Sequence, residues 1–327
     1  MKVLVAGVGG IGGWLAASLA RGGADVELFA RGAALAKLQR DGLTIVSDGQ
    51  QQTLPLKAFG TVSSGQSYDL IIVCVKTQDF GAVCESLRPV LKPGVRLIAG
   101  VNGLPWWFLA SCGSSLHLEA LDPGGKITSL LGDVAPLGAV VHASAHAIEP
   151  GVVRVVKADR LIIGEPDGRV SDFVQELSRC LQRGCVAAPI VPNIGEEIWA
   201  KLWGNMNMNP VSALTRLSSL PILERADLRA LVLAMMEEFD AIGRKLGLRL
   251  PMSANERIEI TKVLGDFRTS MLADAEAQRR LEHEGILGCV VELAEKLGLP
   301  APVSKTVYAL LTGLDYSFER NKTRLQS

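Results

Sequence analysis

The sequence lacks an excess of charge of either sign. Its 327 residues include 34 lysines plus arginines and 34 aspartates plus glutamates, so the formal net charge is zero. Proteins that bind nucleic acid or anionic lipid usually present a clustered positive surface. The charge balance therefore gives no support to a nucleic-acid partner or a membrane-surface partner.

The sequence also lacks paired cysteines. Its six cysteines form no C-x-x-C pair, and its four scattered histidines add no spacing typical of metal ligands. A disulfide framework or a zinc site would need such pairs at characteristic spacings. We therefore predict no metal site, and thiols that stay reduced inside the cell.

A third absence is a long apolar run, since no stretch reaches the roughly 20 residues that cross a bilayer. The start of the chain superficially resembles a secretory signal, because Met1 and Lys2 precede an uncharged run over residues 3–20. Five glycines between Gly7 and Gly13 weaken the helix that such a signal needs. We therefore expect a cytoplasmic protein without a membrane partner.

What the sequence does contain is a glycine-rich loop between two strand-like segments. Residues 2–6 form a short apolar run that predicts a buried strand, and residues 7–12 read GVGGIG. Helical spacing follows over residues 14–20, and a second strand is predicted over residues 25–30. Strand, G-x-G-x-x-G, helix and strand in this order is the context in which the motif binds a dinucleotide.

Each glycine of the loop has an expected task. Gly7 permits the tight turn, Gly9 lets the backbone approach a pyrophosphate, and Gly12 lets the helix pack closely on the strand. The helix N-terminus then offers free N–H groups and a partial positive charge to the anion. We predict that Gly7, Gly9, Gly10 and Gly12 bind the cofactor; the alternative is a purely structural glycine turn.

The end of the second strand indicates which dinucleotide is bound. A site that prefers NAD usually carries an acidic residue there, which binds the ribose 2′-hydroxyl. Here the strand runs into Arg31, and Glu27 lies too early within it. Because a guanidinium suits the 2′-phosphate, we predict NADP(H) as the cofactor. The alternative is that Arg31 is a solvated surface residue.

Further apolar runs predict additional strands of a parallel sheet. They lie at residues 43–46, 70–75 and 95–99, with helical or loop segments between them. Lys76 follows the second run directly, and Asn102 comes shortly after the third. Ligands of doubly wound sheets bind at the carboxyl ends of the strands, so both residues are candidates for contact with a ligand.

An antiparallel segment and a helical half follow along the chain. Residues 149–151, Glu-Pro-Gly, indicate a turn between strands. After about residue 192 apolar residues recur at helical spacing, and two predicted helices stop at Gly247 and Gly298. We predict an α/β fold with an N-terminal Rossmann-type doubly wound domain, a C-terminal all-helical domain and a cleft between them. The predicted limits are 1–192 and 193–327 for the domains, 138–142, 152–156 and 161–164 for the antiparallel strands, and 228–246 and 281–297 for the helices.

The helical half contains an unusual polar stripe. Lys201, Asn205 and Asn209 recur every four residues, so on a helix they share one face. A lysine flanked by apolar bulk can have a lowered pKa and act as a general acid, and asparagines can orient a hydroxy or keto acid. The alternative is that Lys201 is a solvated surface lysine.

Taken together, these motifs resemble those of the ketopantoate reductase family, the NADPH-dependent 2-dehydropantoate 2-reductases. The resemblance extends over almost the whole chain. It is carried by the glycine loop, the lysine after the strand IIVCV, the Asn-Gly pair after the next strand, KLWGNMNMNP at 201–210, TSML at 269–272, and the first glutamate of RRLEHEGILG.

The resemblance implies a role for each of these residues. Lys76 would contact the cofactor, Lys201 would be the catalytic lysine, and Glu282 would hold the substrate hydroxyl and position the lysine. NADPH would deliver hydride to the C2 ketone of a 2-oxo acid, with Lys201 as the general acid. Asn102 would touch both cofactor and substrate, and Ser270 would bind the substrate carboxylate. The substrate-binding residues would be Asn102, Asn205, Asn209 and Ser270.

The chain departs from the family pattern near its substrate end. Ser219 lies close to the position of a family asparagine, Phe267 replaces a polar residue, and Trp106 and Trp107 begin an unusually long connection. These changes leave open which small 2-oxo acid is the substrate, and whether an imine is reduced instead. A non-catalytic NADP-binding sensor is the alternative of a different class. The sequence also leaves open whether two copies form a homodimer.

Overall fold

The structure is a computed structural model that describes residues 1–326, and the chain divides into two compact units. The two units are not separated at one position in the sequence, because two short segments before residue 125 belong to the second unit. The domain limits at residues 192 and 193 stay a prediction. The first unit comprises Met1–Val101, Pro105–Ser111 and Gly125–Ile198, and the second comprises Asn102–Leu104, Cys112–Gly124 and the chain from Trp199 onwards.

Ten strands lie within the described residues, and all of them belong to the first unit. Apolar and β-branched residues dominate the buried ones, as expected for strands with both faces covered. The strands are β1 (Lys2–Ala6), β2 (Asp25–Phe29), β3 (Leu43–Ser47), β4 (Gln50–Leu54), β5 (Lys57–Phe59), β6 (Leu70–Val73), β7 (Arg96–Ala99), β8 (Ala135–Pro136), β9 (Gly138–Glu149) and β10 (Val152–Gly164).

Six strands form a parallel sheet in the order β5-β2-β1-β6-β7-β8. The sequence predictions for β1, β2, β6 and β7 are confirmed to within two residues at each end. All four residues of β6 are buried, which explains why its sequence is apolar without alternation. The strand order reverses between β1 and β6, so the crevice where such sheets bind ligands lies beyond the ends of these two strands.

A second sheet has the order β4-β3-β10-β9, and it corrects the prediction for residues 43–46. That segment, β3, is not part of the parallel sheet, because it pairs antiparallel with β4 and parallel with β10. The cause is a tight Asp48-Gly49 turn with positive φ at both residues, which returns the chain directly into β4. The three segments predicted as antiparallel strands form two long strands, because residues 152–156 and 161–164 both belong to β10. Strands β9 and β10 pair antiparallel, with register shifts along the pairing.

Helices cover the first unit's parallel sheet in part and make up most of the second unit. None of the helices in the described part of the chain is long and apolar enough to cross a membrane. The helices are α1 (Gly10–Arg21), α2 (Gly32–Asp41), α3 (Thr77–Ser86), α4 (Phe108–Ser111), α5 (Lys126–Leu130), α6 (Asp172–Arg183), α7 (Ile194–Thr215), α8 (Ser219–Glu224), α9 (Ala226–Lys245), α10 (Ala254–Val263), α11 (Ser270–Glu276), α12 (Cys289–Lys296) and α13 (Pro302–Gln326).

Two tryptophans fix the rotation of helix α7 in the second unit. Trp199 stacks on Phe239 of α9 with ring centroids 3.9 Å apart, and Trp203 Nε1 donates to the carbonyl of Met236 at 3.3 Å. The ring of Trp199 fits because position 243 is a glycine, where a Cβ would lie 2.6 Å from Nε1. With these rings turned toward α9, the polar stripe of α7 points to the other side of the helix.

The predicted helices of this unit are only partly confirmed. Helix α9 matches the prediction to within two residues and ends before Gly247, which has a φ of +75°. The helix predicted over residues 281–297 begins later, with a π-helical turn over Glu284–Gly288 that leads into α12. The backbone N–H of Leu281 instead donates to Asp315 of α13 at 2.7 Å, and the first two residues of the segment are not helical.

Candidate active site

The glycine loop is closely packed on one side and open on the other. Gly7 has a φ of +89°, and a Cβ there would lie 2.3 Å from the carbonyl oxygen of Cys74. A Cβ on Gly12 would lie 2.0 Å from the carbonyl of Gly7, and one on Gly10 would lie equally close to Ala145. Gly9, in contrast, has no atom within 4 Å of its Cβ position. A side chain at Gly7, Gly10 or Gly12 would collide with neighbouring backbone, whereas there is open space at Gly9.

Helix α1 begins immediately after this open glycine. Gly9 occupies the N-cap position and can offer no side-chain hydrogen bond to the first turn of the helix. The first N–H groups of a helix have no partner within the helix and carry a partial positive charge. An uncapped helix start beside open space is the arrangement that holds the pyrophosphate of a dinucleotide.

Two cationic residues follow the two strands that flank β1, at the same edge of the sheet. Arg31 comes after β2; its guanidinium donates to Ser86 Oγ at 2.5 Å and lies 5.6 Å from the ring centroid of Phe29. Lys76 follows β6 and occupies the N-cap position of α3. Because β2, β1 and β6 are adjacent and parallel, the structure brings Arg31, the glycine loop and Lys76 to one edge.

In the second unit, helix α7 carries the predicted polar stripe. Lys201 and Asn205 are half-buried and Asn209 is buried, so none of the three is a freely solvated surface residue. Their neighbours Leu202 and Met206 are buried in the core of the unit. The interpretation of the stripe as an ordinary exposed helix face is therefore excluded by its burial.

The surroundings of Lys201 change its protonation. Burial of the amine lowers the pKa of Lys201 to about 8, and the charge of the Glu282 carboxylate acts in the opposite direction by raising it. Removing an ammonium group from water disfavours its charged form, whereas a nearby carboxylate favours it. Lys201 can therefore exist in both protonation states near neutral pH, which suits a group that gives and takes a proton.

The Asn102 turn packs directly against the segment that follows Glu282. Gly103 has a φ of +114°, and a Cβ there would lie 2.0 Å from the carbonyl oxygen of Gly285. Since Glu282 also acts on the pKa of Lys201, the second unit brings Asn102, Lys201 and Glu282 into one region.

Ser270 is held near the other end of the stripe. It is the exposed first residue of α11, next to the N-cap residue Thr269. The hydroxyl of Thr269 is hydrogen-bonded to Ser212 Oγ of α7, and Ser212 Oγ also donates to the carbonyl of Asn209 at 3.0 Å. These bonds fix the start of α11 against the helix that carries the polar stripe.

The structure gives Ser219 a different place from the one its sequence position suggests. Ser219 is fully buried, its Oγ accepts the N–H of Phe267 at 2.9 Å, and its own N–H donates to the carbonyl of Phe267. It therefore braces the backbone, while the Phe267 side chain is exposed. Trp106 stacks on Phe80 at 5.8 Å within the first unit, and Trp107 is buried.

One residue that the sequence analysis missed is Asp315, which holds the segment around Glu282. Its buried carboxylate accepts the Leu281 N–H, and His283 Nε2 lies 3.8 Å from its other oxygen. Asp315 is more than thirty residues away along the chain, so no local pattern could have revealed this contact.

Both halves of the chain match models of one protein family. Residues 3–168 match ketopantoate reductase PanE/ApbA, and residues 193–315 match its C-terminal model. The 2-dehydropantoate 2-reductase of Mesorhizobium japonicum is 35% identical over 318 residues, which cover 96% of this chain and 98% of that protein.

Solved structures agree with these matches. A protein from Ralstonia solanacearum that is assigned as a ketopantoate reductase superposes with a TM-score of 0.91 at 35% identity, over 97% of this chain and 98% of that one. The 2-dehydropantoate 2-reductase of Methylococcus capsulatus superposes with a TM-score of 0.83 at 25% identity, with the same two coverages. The chain belongs to the ketopantoate reductase family.

Proposed function

We propose that this protein is an NADP-dependent oxidoreductase that reduces a 2-oxo acid to a 2-hydroxy acid, with ketopantoate as substrate and pantoate as product. The single observation that carries the proposal is the half-buried Lys201, whose pKa is lowered to about 8 in the region of Glu282 and Asn102. The family reduces ketopantoate to pantoate with NADPH. Its curated members named as 2-dehydropantoate 2-reductases favour this substrate over a different 2-oxo acid, an imine or a non-catalytic sensor role.

The residues of the first unit fit an NADP molecule. The uncapped start of α1 beside Gly9 would hold the pyrophosphate, Arg31 the 2′-phosphate, and Lys76 a further part of the cofactor. When bound, NADPH supplies the hydride that reduces the C2 ketone of the substrate.

The residues of the second unit would handle the proton and the substrate. Lys201 Nζ, in its ammonium form, gives a proton to the ketone oxygen as that oxygen collects negative charge. Glu282 favours the charged form of this lysine and holds the substrate hydroxyl. Orientation of the remaining substrate atoms would fall to Asn102, Asn205, Asn209 and Ser270, and such positioning lowers the entropic part of the barrier.

The pKa of Lys201 predicts the pH dependence of both reaction directions. Reduction needs the ammonium form, which predominates below pH 8, so kcat for the 2-oxo acid should fall as the pH rises through about 8. Oxidation of the 2-hydroxy acid needs the neutral amine, so its kcat should rise over the same interval. Measuring NADPH absorbance in both directions between pH 6 and pH 10 checks this.

The variant Glu282→Gln should move this profile. The substitution removes the negative charge that raises the pKa of Lys201, so the fall in the reduction rate should occur at lower pH. Glu295→Gln changes an exposed carboxylate of α12 and serves as the control. An unchanged profile in Glu282→Gln would show that Glu282 does not act on Lys201.

The role of Arg31 can be tested by cofactor binding. Arg31→Ala should weaken the binding of NADPH by about 1–3 kcal/mol, because it removes charge-assisted hydrogen bonds to the 2′-phosphate, and should leave NADH binding nearly unchanged. Arg40→Ala, which removes an exposed arginine of the following helix, is the matched control. Equal losses for NADPH and NADH, or a wild-type preference for NADH, would exclude Arg31 as the phosphate ligand.

The experiment that tests the function itself is a screen of NADPH oxidation across 2-oxo acids that includes ketopantoate and, separately, imines. Turnover with ketopantoate as the best substrate is expected. Absence of turnover with every 2-oxo acid would favour the sensor, and a preference for imines would favour the second enzyme class. A cytoplasmic location and a homodimer stay predictions, for which cell fractionation and sedimentation are the measurements.

A further inference from the structure

Arg257 of α10 is a half-buried cation that forms no ion pair within the described residues. Its guanidinium Nε is inaccessible to solvent and has no hydrogen-bond partner, and no carboxylate oxygen lies within ion-pair distance of its nitrogens. Burial lowers the pKa of Arg257, with no opposing influence from a neighbouring carboxylate. A guanidinium nevertheless stays protonated in proteins, so a positive charge is present here with no carboxylate beside it.

The carboxylates closest along the helix are already engaged elsewhere. Glu256 accepts the N–H and the hydroxyl of Ser253 at 2.8 and 2.7 Å, which closes the capping box at the start of α10. Glu259 lies 3.0 Å from Lys262 Nζ and 3.5 Å from Arg229. The sequence of α10 therefore offers acidic residues on both sides of Arg257, yet the fold directs them to other groups.

The guanidinium lies over helix α7, at the turn that carries the catalytic lysine. Arg257 Nη2 is 3.1 Å, and its Nε and Cζ are 3.8 and 3.9 Å, from the position that a Cβ on Gly204 would occupy. Gly204 is three residues after Lys201, and residues at this spacing are neighbours on a helix surface. It also directly precedes Asn205. The absence of a side chain at position 204 is what lets the charge approach the helix at this point.

We propose that Arg257 is an anion-binding residue of the substrate site, and that its ligand is a carboxylate of the 2-oxo acid. The inference rests on the proposed function. A carboxylate would neutralise this half-buried charge and could accept two parallel hydrogen bonds from the planar guanidinium, which an ammonium group cannot donate in the same geometry. The capping box at the start of α10 fixes the backbone beside Arg257 before the substrate arrives, so little backbone ordering remains to be done on binding.

Two sources of this carboxylate can be separated by the choice of substrate. One is the carboxylate next to the ketone, which every 2-oxo acid carries and which Arg257 would then share with Ser270. The other is a second carboxylate at the far end of a 2-oxo dicarboxylate. The substrates to compare are therefore ketopantoate, the ethyl ester of a branched 2-oxo acid, and 2-oxoglutarate.

The test compares Arg257→Met and Arg257→Lys with the wild type in steady-state NADPH oxidation. Arg257→Met should raise KM for the 2-oxo acid by about 10- to 100-fold with kcat changed by less than about threefold, the pattern of lost substrate binding. Arg257→Lys should recover part of the loss, and KM for the ester should stay constant. An effect confined to 2-oxoglutarate assigns the second carboxylate as the ligand, whereas an effect on both acids assigns the first.

Arg229→Met is the matched control, because Arg229 is also partly buried beside α10 and its Nε also has no partner, but its Nη2 is paired with Asn255 and Glu259. It should leave KM for the acid nearly unchanged. An equal rise in KM for acid and ester, or an equal rise in Arg229→Met, would mean that the arginine only supports the packing of α10, and would overturn the proposal. The thermal midpoint and the affinity for NADPH, measured for each variant, identify any that fails to fold.

Calorimetry separates this inference from the proposed function. The 2-oxo acid is titrated into protein saturated with NADP, where no reduction occurs. Weaker binding by Arg257→Met but not by Arg229→Met supports the anion site even if the wild type reduces none of the substrates. Equal binding by the wild type and Arg257→Met, or no binding by the wild type, overturns the anion site even if turnover confirms the reductase.

Discussion

Replacing Lys201 with alanine is expected to lower kcat for reduction of the 2-oxo acid by about 10²–10⁴, while the affinity for NADPH stays nearly constant. The variant removes the only group of the α7 stripe that can donate a proton from a charged amine. The glycine loop and Arg31, which are proposed to bind the cofactor, belong to the first unit, so the substitution leaves their residues untouched. A steady-state assay of NADPH oxidation measures kcat, and a separate NADPH titration measures the affinity for the cofactor.

The matched control is Lys245→Ala, which removes an exposed lysine from the last turn of α9 in the same unit. It should leave kcat within about twofold, as is usual for surface substitutions. If Lys201→Ala retains nearly wild-type kcat on the best substrate, the lysine is not the proton donor and the mechanism proposed above is wrong. A loss that Lys201→Arg restores would indicate that positive charge alone, without proton transfer, is sufficient.

Replacing Gly103 with alanine is expected to lower both stability and activity. An alanine would have to adopt a φ of +114°, and its Cβ would lie 2.0 Å from the carbonyl oxygen of Gly285. Strained backbone alone costs about 1–3 kcal/mol, and the contact with a backbone oxygen must be relieved by moving one of the two segments. Either movement displaces Asn102 or the segment that carries Glu282, so kcat/KM should fall by at least about 100-fold.

Gly113→Ala separates the two causes. Gly113 also has a positive φ, +71°, but no atom lies within 4 Å of its Cβ position. It should therefore lose some thermal stability through strain and keep its activity. Thermal unfolding and NADPH oxidation, measured on both variants, decide the matter. Equal losses in the two variants would show that the contact between Gly103 and Gly285 is unimportant for the site.

The parts of the fold that were predictable are those in which local spacing has one physical meaning. The glycine loop needs a strand before it and a helix after it, and all three are adjacent in sequence. The polar stripe formed by Lys201, Asn205 and Asn209 follows from the helical period, and the structure confirms that these three residues lie on one helix, α7. The membership of β3 in a second sheet was not predictable, because an apolar strand has the same pattern in either sheet.

The parts of the site that were not predictable depend on which groups meet in three dimensions. The isolation of Arg257 follows from where Glu256 and Glu259 are engaged, although both stand within two residues of it in sequence. Ser219 has a polar side chain near a position expected to face the substrate, yet its hydroxyl is used by the Phe267 backbone. A residue type alone does not reveal whether its hydrogen bonds are already satisfied.

The bond between Asp315 and Leu281 has a consequence for the order in which the protein matures. During synthesis the N-terminal part of a chain emerges and folds first. The glycine loop, Arg31 and Lys76 are made early and belong to the first unit, whereas α13 belongs to the second, so a growing chain contains the elements proposed to bind the cofactor before the last helix exists. The segment around Glu282 gains its anchor only once Asp315 has been added. A nascent or truncated chain would thus contain the elements proposed to bind the nucleotide before the segment around Glu282 has its anchor.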